Sequence, residues 1–199
     1  MKRLTWIVLI FVCLNGAAQQ SKNKLIYANG GLSFGNLSGG QIGISLATDS
    51  QFLMQLEYSG IVRKAKDSPE DYSGGLFSVF IFNANRPVDN IQSFRFLAGK
   101  ILTKNPSDKN RFSLKAGISF STYQEAYNFI EQEGLFLVPN YTWSTHTKYR
   151  MGVIVKPEYE IVFSKHAGLA FTSYIEISKG VSSAGLAVSL LLGKVWNGE

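Results

Sequence analysis

The chain has 199 residues, enough for one domain with a sizeable core or for one closed barrel. Charged residues make up 17%, below the roughly 25% usual in soluble domains, while 13% are aromatic and 19 are glycine, a composition that fits β architecture better than a helical bundle. The formal net charge of +6 comes without the interleaved arginine–aromatic clusters that nucleic-acid recognition requires, which argues against such a partner.

The N-terminus reads as a secretory signal. Lys2 and Arg3 form a positive head, Leu4–Leu14 an apolar segment too short to span a bilayer, and Gly16-Ala17-Ala18 a small-residue cleavage site before Gln19. The expected division is therefore a signal peptide over 1–18 and one β-barrel domain over 19–199. The single cysteine, Cys13, falls in the removed part, so no disulfide or thiol chemistry is expected in the mature chain. No later apolar run is long enough for a transmembrane helix, so any membrane crossing must be made by strands.

Eight alternating segments follow. Leu25–Gly35 sets Ile26, Ala28, Leu32 and Phe34 on one face. Gln41–Thr48 sets Ile42, Ile44 and Leu46 against Gln41, Gly43 and Ser45. Phe52–Val62 sets Phe52, Met54, Leu56 and Tyr58 against Gln55, Glu57 and Ser59. The stretch 63–91 is irregular: Arg63–Tyr72 is charged and holds Pro69, so it reads as a loop, and Leu76–Phe82 reads as part of an external hairpin. Gln92–Thr103 groups Phe94, Phe96 and Ala98. Arg111–Ser121 alternates without a break, with Phe112, Leu114, Ala116, Ile118 and Phe120 opposed to Arg111, Ser113, Lys115, Gly117 and Ser119. Period two over this length is a strand with one apolar and one polar face. Thr122–Thr147 reads as a second long loop. Lys148–Phe163, Ala167–Ser178 and Ala184–Trp196 complete the set.

The connection lengths pass a parity test. With both chain ends on one side, the second, fourth and sixth connections (48–51, 105–110 and 164–166) are short. The two long excursions are the third and fifth, on the opposite side. Short turns on one side and long loops on the other mark an outer-membrane barrel, and an even strand number agrees. From Phe112 to Phe120 a strand rises about 26 Å; tilted about 40°, it covers roughly 20 Å of depth, close to the apolar band of such a barrel. Lys115 facing lipid at mid-depth costs about 2–4 kcal/mol. The charged set Glu57, Arg111, Lys115, Arg150, Lys156, Glu158, Glu160 and Glu176 is therefore expected to point inward, as a lumen network of both signs. Face assignment also puts Ala116 toward lipid and Gly117 inward, so Gly117→Arg is expected to be milder than Ala116→Arg.

On these residues the chain resembles the small eight-stranded outer-membrane β-barrel proteins of the OmpA-barrel/OmpX type, particularly those of Bacteroidota. Gly16-Ala17-Ala18 followed by Gln19-Gln20 is similar to secretory signals of that phylum. Ser189–Trp196, with Leu190, Leu192 and Trp196, resembles the C-terminal signal read by the barrel-assembly machinery, although Asn197-Gly198-Glu199 follow the aromatic residue. The resemblance implies an all-β, eight-stranded antiparallel up-and-down transmembrane barrel in the cell outer membrane. Membrane lipid and the assembly machinery are the implied partners of a monomeric chain. It implies no activity.

The expected role is non-enzymatic, structural or surface-interacting, through the external loops. Tyr72, Tyr123, Tyr127, Tyr141 and Trp143 are the candidate contact residues there. Two alternatives stand beside it: a soluble periplasmic or secreted barrel binding a small apolar ligand, and a lipid-modifying barrel enzyme using Ser144 and His146. Sequence proximity alone gives His146 neither an orienting acid nor a nucleophile. Asp67, Glu70 and Asp71 cluster without the spacing of a calcium loop, and His146 and His166 are far apart, so neither metal nor cofactor is expected.

Overall fold

The computed structural model describes residues 24–48, 50–73, 87–103, 108–132 and 139–197. The signal peptide expected over 1–18 and the segment Leu76–Phe82 lie outside the described residues. Eight strands run in chain order: β1 (Leu25–Gly35), β2 (Ser38–Ala47), β3 (Phe52–Lys64), β4 (Val88–Ile101), β5 (Asn110–Glu131), β6 (Tyr141–Val162), β7 (Ala167–Ser178) and β8 (Val181–Lys194). Each pairs antiparallel with the next, and β8 returns to β1, closing an up-and-down barrel. Closure leaves the wall without an edge strand.

Alternation decides which side chains meet across the barrel. Along β5 the odd positions from Arg111 to Ser119 point to the axis and the even positions from Phe112 to Phe120 point out. The outer wall is apolar: Ile42 is 62% exposed, Ile175 56% and Leu186 65%, with Phe94, Phe96 and Val153 in the same belt. Aromatic residues gather at its margins, Phe52, Phe112, Phe163 and Tyr159 toward the chain ends, Phe120, Tyr58 and Phe94 toward the far end. Tyr58 and Phe94, cross-strand partners, bring their rings to 5.0 Å.

The second long loop expected over 122–147 is largely strand. β5 runs on to Glu131 and β6 begins at Tyr141, forming a tall hairpin. β4 accompanies β5 only to Gln124, and β7 meets β6 only from Gly152, so the hairpin projects beyond the wall. A bulge between Tyr127 and Ile130, with Asn128 at φ 55°, bends it. Asparagine tolerates that left-handed backbone better than most residues. The polar alternation Tyr123–Thr147, with tyrosines and glutamates between, reads as a loop only if strands are required to carry an apolar face.

The inward-facing residues form three layers. At the end bearing the short turns, Leu25, Tyr27, Leu53, Ile101, Val162 and Leu191 make an apolar plug. Gly193, at φ 130°, bends the last residues of β8. Its amide donates to the His166 carbonyl and the Val195 amide to that of Lys165, so Val195 is tucked into the plug and Trp196 packs on it. At the opposite end Leu37, Ile61, Ile91 and Tyr123 form a second apolar layer. Charge lies between.

Candidate functional site: the lumen network and the outer hairpin

Four carboxylates, Glu57, Glu158, Glu160 and Glu176, face four cations, Arg95, Arg111, Lys115 and Lys156, all buried. The barrel axis is therefore electrically neutral in its middle layer. An unpaired charge there would keep a desolvation cost of several kcal/mol, so each group needs a partner. Lowest is Arg111, cross-strand to Glu160, whose Nε donates to Glu160 Oε2 at 2.8 Å while Tyr27 donates its hydroxyl to Glu160 Oε1 at 2.7 Å. Arg111 Nη1 also reaches the Val195 carbonyl at 2.8 Å, tying the network to the plug.

Above it Lys115 and Lys156 stand directly opposite each other in the β5–β6 register, a like-charge pair that is unfavourable alone. They turn apart. Lys115 Nζ donates to Glu158 at 2.5 Å and to Gln55 at 2.6 Å, and Lys156 Nζ donates to Glu57 at 2.5 Å. Glu57 accepts from Arg95 at 2.8 Å on its other oxygen, and Arg95 reaches Glu176 at 2.6 Å. Thr172 and Gln55 satisfy further carboxylate oxygens. Eight side chains from β3 to β7 thus form a bonded chain across the axis.

Of the eight charges expected inside, seven lie in this layer, and Arg150 does not. It sits half-buried at the upper mouth, its guanidinium 4.9 Å from the Tyr123 ring and bonded to the Lys179 carbonyl. It projects from β6 two residues above Gly152, where the closed wall ends. Arg95 takes a central place that sequence reasoning missed. The signal is present in the sequence: Phe94, Phe96 and Ala98 form one set, and once that set faces out Arg95 points in. Asp89 and Arg63 were also missed, because 63–91 reads as irregular. Asp89 is buried and accepts from Arg63 Nε at 3.0 Å and from the Tyr123 hydroxyl at 3.1 Å.

Tyr123 is therefore not a loop residue. It is 2% exposed, facing the axis in the upper apolar layer. The other four aromatic candidates lie on or against the projecting hairpin. Tyr72 packs edge-on to Trp143 at 6.1 Å, and Phe129, which the sequence did not single out, lies 6.4 Å from the same indole. The Tyr141 hydroxyl donates to Asp71, which holds the phenol above its ordinary titration range. Asn140 bonds the Asp71 carbonyl and the Ser73 amide, so the first outer loop is clasped to the hairpin tip. Tyr127 stands edge-on to His146 at 6.2 Å.

The arrangement offers little to acid–base chemistry. Ser144 and His146 are both exposed on β6. Glu125, directly across from His146, gives its carboxylate to Lys148 at 2.8 Å, and that bond lowers the acid's titration range. Asp71, from the acidic cluster, is engaged by Tyr141. Among the described residues no group of three metal-ligating side chains converges. The lumen holds a void of about 10 Å³ beside Tyr123, Arg150 and Glu176, room for one water.

Comparison with known proteins places the fold. No protein-family model and no curated protein sequence matches the chain. Among solved structures it is similar to Ail, the attachment invasion locus protein of Yersinia pestis. The two share a TM-score of 0.50 at 6% identity, over 85% of this chain and 96% of that one. The N-terminal β-barrel domain of Pseudomonas aeruginosa OprF aligns at a TM-score of 0.46 and 14% identity, over 87% and 98% of the two chains. The chain has the closed eight-stranded antiparallel fold of small outer-membrane barrels.

Proposed function

We propose that this chain is a non-enzymatic outer-membrane protein, its barrel crossing the bilayer and its β5–β6 hairpin offering a contact surface outside the cell. One observation carries the reading: polarity is inverted relative to a water-soluble barrel. Eight charges are buried on the axis while Ile42, Ile44, Phe94, Phe96, Val153, Ile175 and Leu186 face outward around the wall. A continuous apolar exterior of that extent is unfavourable in water and suited to acyl chains. It also argues against the soluble ligand carrier, whose apolar face would line a cavity. The surface role rests on the hairpin, where Tyr72, Phe129, Tyr141 and Trp143 gather on a framework held by the Asn140 and Asp71 bonds. The signal peptide over 1–18 and handling by the barrel-assembly machinery belong to the same reading.

The test is location and orientation. The protein is expected in the outer-membrane fraction, with a band that shifts on heating; full recovery in the soluble periplasm would overturn the membrane reading. With Thr145→Cys on the hairpin and Ser164→Cys in the β6–β7 turn, an impermeant maleimide should label the first on intact cells. The second should react only after permeabilisation. The reverse pattern would invert the proposed topology.

A further inference from the structure

The barrel's charge is distributed unequally along its length. The lumen carries four acids and four bases, and Asp89 is matched by Arg63. At the hairpin end the remaining described charges balance: Lys64, Lys66, Lys148, Arg150 and Lys179 against Asp67, Glu70, Asp71, Glu125 and Glu131. Among the described residues, five lysines at the short-turn end, Lys24, Lys100, Lys109, Lys165 and Lys194, meet one acid, Asp108. The entire positive excess of the described residues sits at this one end.

The position of these lysines says what they face. Lys100 lies on the outward side of β4, in register between Phe52 of β3 and Leu114 of β5. Lys194 pairs with Ile26, and Lys24 precedes β1 at the outward parity of Ile26. These three stand in the last row of the apolar wall, level with the lower aromatic margin, rather than beneath the barrel mouth. Lysine stems lying along such a wall carry their ammonium groups to the adjoining interface. A soluble macromolecule in the periplasm has no access to residues flanked by acyl-facing Phe52, Leu114 and Ile26, whereas lipid phosphates lie at that depth. Lys109, its ammonium 5.0 Å from the Trp196 ring, and Lys165 in the β6–β7 turn continue the basic rim below.

We infer that this rim is a binding collar for anionic phospholipid headgroups of the periplasm-facing leaflet, with Lys24, Lys100 and Lys194 as its in-wall contacts. The inference rests on the membrane reading above. The collar supplies selectivity for charge without a shaped pocket, since separated ammonium groups attract phosphate as point charges. Each lysine near an anionic surface contributes a favourable, salt-screened increment.

The experiment uses the full chain, folded into bilayers of phosphatidylcholine alone or mixed with phosphatidylglycerol. The association of spin-labelled phosphatidylglycerol with the barrel is measured relative to spin-labelled phosphatidylcholine. The native protein should prefer the anionic label by about threefold or more at low salt, in line with the per-lysine attraction of a charged leaflet. The preference should fall toward one in high salt and in the triple variant K24Q/K100Q/K194Q. A triple variant that folds, shows the heat-shifted band and keeps the full preference would overturn the collar. So would native protein that inserts into both bilayers without preference, and so would binding of soluble polyphosphate by the micellar protein as strong as its binding of phosphatidylglycerol. Failure to insert into either bilayer would instead overturn the membrane reading, and the collar with it.

Discussion

The wall and the axis of this barrel solve opposite problems with one backbone. The wall presents side chains that need no partner, and its neighbours across β4 and β5 (Phe94 with Phe120, Phe96 with Ile118) contact one another as a sheet of interchangeable apolar groups. The axis presents charges that tolerate no substitution alone, because each is bonded to others: Glu57 alone holds Arg95 and Lys156. The difference teaches where the chain is fragile. Volume and polarity matter on the wall; partnership matters on the axis.

The sharpest way to break that contrast is to remove one member of the axial network. Glu57→Gln is expected to cost about 3–5 kcal/mol, because it leaves two buried cations short of a counter-charge. Urea unfolding from phosphatidylcholine vesicles measures it. In the same assay the double variant Lys115→Met/Glu158→Met should be less damaging than either single change, since the pair leaves together. A double variant as damaging as the sum would mean that the two do not act as a pair.

On the wall, Ala116→Arg should cost about 2–4 kcal/mol through a charge facing acyl chains and reduce the heat-shifted fraction, whereas Ala116→Leu should be tolerated. Gly117, one residue on, cannot serve as the mild inward control that parity suggests. A Cβ built there meets the Phe96 carbonyl oxygen at 1.9 Å, so any side chain at this position forces the β4 and β5 backbones to shift. Gly117→Ala is accordingly expected to cost about 1–3 kcal/mol by overpacking.

Smaller effects belong to the upper rim. Tyr123→Phe removes a hydroxyl that accepts from Arg63 and donates to Asp89, and should cost about 0.5–1.5 kcal/mol. Beyond the wall, the partly exposed Glu125–Lys148 pair is worth about 0–1 kcal/mol and should fade in salt. Lys148 lowers the Glu125 titration range in the folded state, so this contribution is complete above the ordinary carboxylate range of about 4.3 and disappears as pH falls through the lowered folded value. Glu125→Gln should abolish that pH dependence.

Much of this architecture was legible from alternation. β1 and β7 begin and end where the pattern predicts, and the inward parity of Lys115, Lys156 and Glu158 follows from the apolar residues between them. What alternation could not supply is register. Nothing in the local sequence says that Lys115 faces Lys156 across the β5–β6 pair, or that Glu57 serves both Arg95 and Lys156, because these meetings depend on how neighbouring strands slide. The apolar plug was hidden for a related reason. Leu25, Leu53 and Leu191 each occupy one inward position at a strand end, and converge only when the sheet closes. The hairpin tip was misread because strands that leave the apolar belt lose the pattern by which strands are recognised.

The bond from Lys156 to Glu57 joins positions ninety-nine residues apart, and the Arg111 bond to Val195 waits for a residue that follows β8. On the membrane reading proposed above, a half-curled sheet entering hydrocarbon would carry Lys156 without Glu57 and Arg95 without Glu176, because those counter-charges lie on strands that are not neighbours. On that reading a concerted assembly is favoured, in which β8 zips against β1 while the axial ions still see solvent and the hydrated seam drains only as the ring is sealed.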